Sequence, residues 1–317
     1  MLKADSPALV LAPMDGITDA PMRALQGATG AFSFGVSEFV RVSVEVLPAK
    51  VFRREVPELR HGGVTPTGMP VQVQILGGHP ERMAQTALVA CRAGAKAIDI
   101  NFGCPAPTVN RNDGGASLLL HPCRIREVVE AVRSAVPAQI PVSAKLRLGW
   151  DCPDAIYENA AMAAEGGADW LTIHARTRVQ GYAPPVFWAP IRRVRESLGV
   201  PVVANGDIWT MDDFRRCRDE TGCIHFMLGR GGLADPSLPY RIARELGLDA
   251  PEPPETDWPR LLVALVEWVR FYESEVPKWT VKRLKQWLNI ADKHGAFDRF
   301  EAVKRVDSLE ELLAGVS

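Results

Sequence analysis

Short apolar segments recur along the first three quarters of the chain, and helix-like segments separate them. Most of the apolar runs are consecutive, as in Val202-Val203-Ala204, which is typical of strands covered on both faces. Helix start signals lie between the runs, such as Pro153-Asp154 before Ala155–Glu165. The pattern predicts eight strands, which lie within Ala8–Met14, Phe32–Val40, Pro70–Gly77, Ala95–Cys104, Ile140–Trp150, Ala168–Thr177, Val200–Ile208 and Cys223–Gly232.

The alternation of strands and helices predicts an α/β fold. Eight such units in sequence favour a parallel sheet closed into a TIM (β/α)8 barrel over residues 1–247. An open doubly wound sheet is the alternative that the same alternation allows. The second and third units are less regular, because residues 41–69 are rich in Pro, Gly and Arg, and we expect an excursion there.

Polar or cationic residues follow nearly every predicted strand. In a barrel the loops after the strands form the active face, so this placement predicts a catalytic site at that end of the barrel. A barrel with a purely structural role does not need polar residues at nearly every strand end. The strand ends hold Pro13-Met14-Asp15-Gly16, Glu38, Gln74, Asn101-Phe102-Gly103-Cys104-Pro105, Lys145-Leu146-Arg147, His174-Ala175-Arg176, Asn205-Gly206-Asp207 and Gly229-Arg230-Gly231.

A proline-rich acidic stretch over residues 247–257 is predicted to be a linker, because it cannot continue a helix. Residues 258–317 beyond it carry helical apolar stripes and no strand pattern. They predict a small all-α C-terminal domain.

One helix of that domain carries a basic patch, in which three lysines fall at i, i+4 and i+7 and an arginine lies beside them. Trp279 and Trp287 are expected to flank it. Such a face is either a solvated helix surface or a contact for a polyanionic substrate, and a neighbouring active face favours the second. The basic residues of the patch are Lys278, Lys282, Arg283 and Lys285.

Composition narrows the class of protein. The chain has 317 residues, 47% of them hydrophobic and 24% charged, which excludes a disordered or collagen-like chain. The net charge of -1 gives no global cationic field, so a nucleic-acid contact must be local. No apolar run approaches the roughly 20 residues of a membrane span. Six scattered cysteines without a Cys-x-x-Cys pair indicate no metal site and predict a reduced, cytoplasmic protein.

A set of motifs, in order through the barrel, resembles the tRNA-dihydrouridine synthases, flavin-dependent barrel enzymes that reduce uridines in tRNA. Three further segments resemble the bacterial subfamily that modifies uridine 16 of the D loop: Glu38–Val42, Leu47–Phe52 and Lys285–Leu288. Two residues depart from the common family pattern, Asp15 in place of Glu and Thr108 in place of Lys. The barrel motifs are Leu11–Gly16, Asp99–Pro105, Lys145–Trp150, His174–Thr177, Asn205–Ile208 and Gly229–Gly231.

The resemblance implies tightly bound FMN, reduced by NADPH, as the hydride donor to C6 of the uracil. Backbone groups, an amide, a lysine and a phosphate-binding arginine are the groups that would hold the flavin. The cofactor-binding residues implied in this way are Pro13, Met14, Asp15, Gln74, Lys145, His174, Asn205, Gly206, Asp207, Gly229 and Arg230.

Reduction of the 5,6 double bond also needs an acid that protonates C5 from the other face. Cys104 is the candidate, because it alone among the cysteines follows a strand end in a Gly-Cys-Pro turn, and a thiol is mostly protonated at neutral pH. Asn101, Arg147 and Tyr182 are expected to hold the uracil, as matching positions do in the subfamily. Arg41 and the four basic residues of the patch are expected to contact phosphates.

The expected partner is tRNA, and we expect a monomer with no membrane contact and no stable protein partner. Two other functions stay open on the sequence alone. One is a small-molecule FMN pyrimidine dehydrogenase of the dihydroorotate or dihydropyrimidine type, which would leave the basic helix unexplained. The other is a catalytically silent RNA-binding barrel, against which the intact Cys104, Lys145 and Gly229-Arg230 set argues.

Overall fold

The structure is a computed structural model that describes residues 1–111 and 113–316. Asn112 and Ser317, the last residue of the expected helical domain, lie outside the described residues. The described strands are all parallel to their neighbours. They are β1 Ala8–Leu11, β2 Phe34–Val36, β3 Val40–Arg41, β4 Val71–Leu76, β5 Ile98–Phe102, β6 Val142–Arg147, β7 Trp170–His174, β8 Val202–Asn205 and β9 His225–Leu228.

The sheet closes into the predicted barrel rather than the open alternative. Its strand order is β2-β1-β9-β8-β7-β6-β5-β4, and β2 pairs with β4 to complete the ring. Each of the eight predicted runs contains a barrel strand. The run Phe32–Val40 differs in detail, because it breaks after β2 and resumes as the short β3, which also pairs with β4. Val36 pairs with Gln72 but Val40 pairs with Ile75, so one extra residue forms a bulge between them.

Helices cover the outside of the barrel, and several begin where the sequence predicts. The helix predicted over Ala155–Glu165 has these bounds in the structure, and Asp19 caps the first helix by accepting from the N–H of Met22. Residues 41–69 form the expected excursion, with one helix and a 3-10 turn over Pro57–His61. The helices are α1 Ala20–Gly27, α2 Ala49–Glu55, α3 Pro80–Arg92, α4 Pro107–Asn110, α5 Pro122–Ala135, α6 Ala155–Glu165, α7 Ala189–Ser197, α8 Met211–Thr221, α9 Arg230–Ala234, α10 Leu238–Glu245, α11 Trp258–Glu273, α12 Trp279–Lys293, α13 Phe300–Val303 and α14 Leu309–Val316.

The two faces of the barrel strands have different partners. Alternate apolar residues pack outward against the helices, for example Val71, Val73 and Ile75 of β4. Some of the other positions of β1, β2, β7, β8 and β9 form a small apolar cluster inside the barrel, which includes Phe34 and Trp170. Their rings meet edge to face, with centroids 6.2 Å apart.

The inward positions of β4, β5 and β6 are polar. This differs from the consecutive apolar residues that the sequence predicts for most strands. These strands alternate apolar and polar residues, and the polar side chains enter the barrel interior. Because a buried polar group is stable only when it is hydrogen-bonded, they must pair with one another. They are Gln72, Gln74, Asp99, Asn101, Ser143, Lys145 and Arg147.

Helices α11 to α14 pack on the barrel through α1 and α9. Their apolar core includes Met22 and Leu25 of α1 and Leu233 of α9. Trp287 is buried there and donates from Nε1 to the carbonyl of Leu233, 2.8 Å away. The expectation that Trp287 flanks the basic patch is therefore wrong. No helix of residues 1–111 or 113–316 is long and apolar enough to cross a membrane.

Buried charges lie where α1 meets these helices. Arg23 and Glu58 form a fully buried pair, with Nε and Oε1 2.7 Å apart and a second hydrogen bond of 2.8 Å. Beside them, Arg283 pairs with Asp19 at 3.0 Å. Glu38 accepts from the N–H of Ile17, and burial together with the charge of Asp19 raises its pKa to about 7.

Stability should therefore depend on the ionisation of Glu38. Its pKa in the folded protein lies above the ordinary value, so folding binds a proton and stability from this group falls as pH rises from about 4.5 to about 7. Glu38→Gln removes that dependence. We expect the variant to be more stable than the parent at pH 8, by about 2 kcal/mol after discounting for partial exposure, and to lose this advantage at pH 5.

Urea unfolding at both pH values measures the effect. Glu45→Gln is the matched control, because Glu45 lies on the same segment but is exposed. An advantage of Glu38→Gln that is equal at pH 5 and pH 8 would contradict the assignment.

Candidate active site

A cavity of about 310 Å³ opens at the carboxyl ends of the barrel strands. It brings together all eleven residues predicted to bind the cofactor, along with Cys104 and all three residues predicted to hold the uracil. The predicted residues that line it are Pro13, Met14, Asp15, Gln74, Asn101, Cys104, Lys145, Arg147, His174, Tyr182, Asn205, Gly206, Asp207, Gly229 and Arg230.

Asn101 fixes the turn that carries the thiol. Its Oδ1 accepts from the backbone N–H groups of Gly103 and Cys104, both at 2.9 Å, and its Nδ2 donates to Oε1 of Gln74 at 2.8 Å. A short side chain at the end of β5 thus closes the turn after the strand. Cys104 is half-buried, and burial raises the pKa of its thiol, so the sulfur is protonated at neutral pH.

A cation and a neutral imidazole lie on the neighbouring strands. Nζ of Lys145 donates to Oδ1 of Asn205 at 2.9 Å, and Asn205 in turn donates to the carbonyl of Met227 at the same distance. Burial, followed by the charge of Arg147, lowers the pKa of Lys145. The same two causes hold the pKa of His174 well below its usual range, so that ring is neutral. The Nδ1 atom of His174 is buried and has no partner among the described residues.

The loops after β8 and β9 form one corner of the cavity. Gly206 has φ +119°, a conformation that favours glycine, and a Cβ on Gly231 would lie 1.9 Å from the carbonyl oxygen of Ile208. These glycines let two loop backbones approach closely. The carboxylate of Asp207 pairs with Arg176 and Arg230, so only its backbone is left for a ligand.

The loop after β1 forms the wall next to this corner, because β1 pairs with β9. The N–H of Met14 donates to Oγ1 of Thr18, 2.7 Å away, and the Met14 sulfur would lie 3.3 Å from a Cβ on Gly229. Pro13 and Met14 are half-buried, whereas Asp15 is exposed. The side chain of Asp15, one of the two departures from the family pattern, thus faces solvent at the rim.

Arg147 holds loops together as well as lining the cavity. It is buried and donates to the backbone carbonyls of Gly103, Thr177 and Gly181, at 2.8 to 3.1 Å. Tyr182 is exposed, and its ring contacts two guanidinium groups, with centroid distances of 5.4 Å to Arg147 and 4.6 Å to Arg230. The Tyr182 ring therefore forms a flat surface at the cavity mouth.

The remaining predicted residues lie outside the cavity. Arg41 lies on β3 and donates to the carbonyl of Thr108, the second departure from the family pattern, at 3.0 Å. Lys285 donates to the carbonyl of Val306 at 2.7 Å and lies 3.5 Å from Asp307, and Arg283 is engaged by Asp19. No acidic residue lies among these four in the sequence, but in the structure Asp19 contacts Arg283 and Asp307 contacts Lys285.

The other two residues of the patch are fully available. Lys278 and Lys282 are exposed, and no carboxylate in the described part of the chain pairs with either of them. They are therefore the members of the patch that can meet a phosphate without breaking a contact.

Two aromatic contacts at the cavity were missed by the sequence analysis. Trp209 lines the cavity, stacks on His294 with centroids 3.5 Å apart, and lies 5.0 Å from the guanidinium of Arg230. Phe39 also lines it, from the bulge between β2 and β3. The position of Trp209 just after the strand end Asn205-Gly206-Asp207 could have placed it at the cavity. Its contact with His294 joins distant parts of the chain, so the sequence contained no sign of it.

Comparison with known proteins gives a consistent result over most of the chain. The sequence profile of the family described as dihydrouridine synthase (Dus) matches residues 10–294. A protein from Pseudomonas putida named tRNA-dihydrouridine(16) synthase is 45% identical over 281 residues, which are 88% of this chain and 86% of that one. A protein of the same name from Ralstonia nicotianae is 42% identical over 308 residues, covering 96% and 94% of the two chains.

Solved structures of low sequence identity share the fold alone. Histamine dehydrogenase from Rhizobium sp. 4-9 has a TM-score of 0.57 and 15% identity, covering 82% of this chain and 49% of that one. An old yellow enzyme homologue from Zymomonas mobilis has a TM-score of 0.54 and 13% identity, covering 77% and 90%. The barrel, its polar cavity and the sequence matches agree, and this chain belongs to the dihydrouridine synthase family.

Proposed function

We propose that this chain reduces the 5,6 double bond of uridine 16 in the D loop of tRNA, with tightly bound FMN as its flavin and NADPH as the reductant. The observation that carries the proposed chemistry is that Cys104, Lys145 and Arg230 line one cavity at the barrel mouth. The choice of uridine rests on the relatives named tRNA-dihydrouridine(16) synthase, which match most of the chain.

As a member of the dihydrouridine synthase family, the chain is a flavin-dependent oxidoreductase that converts uridine in tRNA to dihydrouridine. This membership sets aside the small-molecule pyrimidine dehydrogenase and the silent RNA-binding barrel. The residue roles, the target position, the form of the flavin and the reductant are the proposed part.

The corner formed by Gly206, Gly229 and Arg230 suits the phosphate of a flavin mononucleotide. Backbone unobstructed by side chains can approach a phosphate, and a guanidinium supplies the matching charge and hydrogen bonds. Two backbone features support this use, the positive φ of Gly206 and the close approach of the two loops at Gly231.

Gln74, Lys145 and His174 suit the ring system. The Gln74 amide can pair with the pyrimidine edge, and the Lys145 ammonium favours negative charge on the reduced ring. Nδ1 of His174 is buried and has no partner among the described residues, so a non-protein group that binds beside it can satisfy it. Pro13, Met14 and the backbone of Asp15 would form one wall of the flavin site. The bound flavin supplies the hydride.

The thiol of Cys104 supplies the proton for C5 of the uracil. Burial keeps it protonated, and the hydrogen bonds from the turn to Asn101 fix where it points. The Nδ2 group of Asn101 and the guanidinium of Arg147 hold the uracil carbonyls and stabilise the negative charge that develops on them. The exposed ring of Tyr182 stacks against the base that has been turned out of the D loop.

Phosphate contacts offset the cost of turning out the base, which is on the order of a few kcal/mol. Lys278 and Lys282 make the main contacts, and Arg41 makes one on the barrel. Arg283 and Lys285 contribute charge but keep their internal partners. The proposal includes the division into a catalytic barrel, residues 1–247, and a tRNA-binding helical domain, residues 258–317, in a monomeric cytoplasmic enzyme without a stable protein partner.

Replacement of Cys104 tests the proposed acid. In Cys104→Ala we expect flavin content and NADPH oxidation to stay at the level of the parent, because the thiol is not needed for either. Dihydrouridine formation in a single turnover should fall by about 10²- to 10⁴-fold, the usual contribution of a general acid. Mass spectrometry of the digested tRNA measures the yield.

Cys123→Ala is the control, since Cys123 is an exposed cysteine at the start of α5, away from the cavity. It should match the parent in every assay. A dihydrouridine yield in Cys104→Ala that equals that of the parent would rule out Cys104 as the acid.

Charge reversal tests the patch. Lys278→Glu with Lys282→Glu should weaken tRNA binding and lower the slope of log K against log salt by about 0.7–0.9 for each phosphate that the protein no longer binds. A reversal of Arg92 and Lys96 makes the same change in net charge at the opposite end of the barrel, where both are exposed. Equal salt slopes for the two double variants would mean that the patch is a solvated helix face that does not bind tRNA.

A further inference from the structure

Asp99 is a buried carboxylate inside the barrel, with only 2% of its surface exposed, and it does not line the cavity. It lies between β4 and β6, in register with Gln74 and Ser143. Its Oδ2 accepts from Nε2 of Gln74 at 2.7 Å, and its Oδ1 accepts from the hydroxyl of Ser143. Ser143 in turn accepts from Nε2 of Gln72 at 2.9 Å.

A continuous line of hydrogen bonds joins this carboxylate to the turn that carries the thiol. Gln74 donates to Asp99 and accepts from Nδ2 of Asn101 at 2.8 Å. Asn101 then accepts, through Oδ1, from the N–H groups of Gly103 and Cys104. Two side-chain amides thus connect Asp99 with the backbone of Cys104.

The direction of this line is fixed at both ends. An ionised carboxylate can only accept, and a backbone N–H can only donate. The two amides between them can satisfy every contact in one orientation alone, with both carbonyl groups turned toward Cys104. Burial raises the pKa of Asp99, but the two donors that face it, with the charge of Lys145, favour its ionised form.

We propose that Asp99 is a positioning residue of this site, which orients Gln74 and Asn101 through their hydrogen bonds and thereby holds the Cys104 turn in place. The inference rests on the proposed function for its catalytic meaning. It assigns a role to a residue that touches neither the cavity nor the thiol, and it explains why a charged group is kept inside the barrel.

Asp99→Asn is the informative substitution, because it keeps the size of the side chain and leaves one acceptor where there were two. The hydroxyl oxygen of Ser143 can accept from the new amide, but the hydroxyl proton still needs an acceptor, so Ser143 and Gln74 compete for that single carbonyl. If the carbonyl turns to Ser143, the new amide nitrogen faces the amide nitrogen of Gln74. Gln74 must then turn over, so that its amide nitrogen faces the amide nitrogen of Asn101. If Asn101 keeps accepting from the Cys104 turn, these two donors face each other without an acceptor.

Removal of the competing donor should reverse the damage. In Asp99→Asn combined with Ser143→Ala, nothing competes with Gln74 for the carbonyl of residue 99, so the original direction of the line is restored. Ser143→Ala alone leaves both oxygens of Asp99 and the contact with Gln74. The double variant should therefore behave more like Ser143→Ala than like Asp99→Asn, whereas a role in stability alone predicts that the two effects add.

The first measurement is the alkylation of Cys104 by iodoacetamide in the purified protein, resolved by peptide mass spectrometry. Cys123 and Cys152 are exposed and serve as internal references. We expect Cys104 in Asp99→Asn to react about tenfold faster than in the parent, the effect of removing one hydrogen bond, because the turn is released. Ser143→Ala and the double variant should stay within about threefold of the parent.

The second measurement is tRNA reduction, as the single-turnover rate at saturating tRNA. Asp99→Asn should lower this rate by about 10- to 100-fold with little change in tRNA affinity, and Ser143→Ala in the same chain should restore most of it. Urea unfolding shows whether each variant is native. If Asp99→Asn alone does not fold, recovery of folded, active protein in the double variant supports the proposal and its failure to recover overturns it.

Cys104 reactivity in Asp99→Asn that equals that of the parent, or a double variant at least as impaired as Asp99→Asn, would overturn the role of Asp99. Alkylation needs no substrate, so this outcome is distinct from failure of the proposed function, which would appear as absence of dihydrouridine formation by the parent protein.

Discussion

Polar side chains inside a closed barrel are withdrawn from bulk water, and this constraint shapes the site. One half of the barrel interior is filled by an apolar cluster around Phe34 and Trp170. The other half, on β4 to β6, carries amides, a carboxylate and cations, which are stable there only because they bond to one another. Their pairing fixes each group in one orientation before any ligand arrives, and pre-organised groups of this kind are what an active site needs.

The same constraint separates groups that serve the fold from groups left for ligands. The carboxylate of Asp207, for example, is occupied by Arg176 and Arg230. The neutral ring of His174, by contrast, has a buried nitrogen without a partner in the part of the chain that the structure describes. The described part of the cavity thus combines satisfied groups that hold its shape with one buried nitrogen that is left for a ligand.

The fold was predictable where it depends on local pattern, so each predicted apolar run contains a barrel strand. The rule that barrel sites lie at the carboxyl ends of strands then located Cys104 from the sequence. What the sequence did not predict depends on contacts between distant segments. Trp287 fits an exposed stripe as well as a buried one until α9 is known to cover it. Asp99 looks like one more residue of a buried strand, and its link to Cys104 through Gln74 exists only because β4 and β5 lie side by side.

The helical region packs on the barrel through α1, whose Arg23 pairs with the buried Glu58 of the 3-10 turn. The exposed Lys278 and Lys282 are therefore held at a fixed place relative to the barrel, which suits the docking of a large folded RNA. The most direct test of the account is to map dihydrouridine in tRNA from cells that lack this gene. We expect unmodified uridine at position 16 and intact dihydrouridine at the other positions. Dihydrouridine still present at position 16, or missing from another position instead, would contradict it.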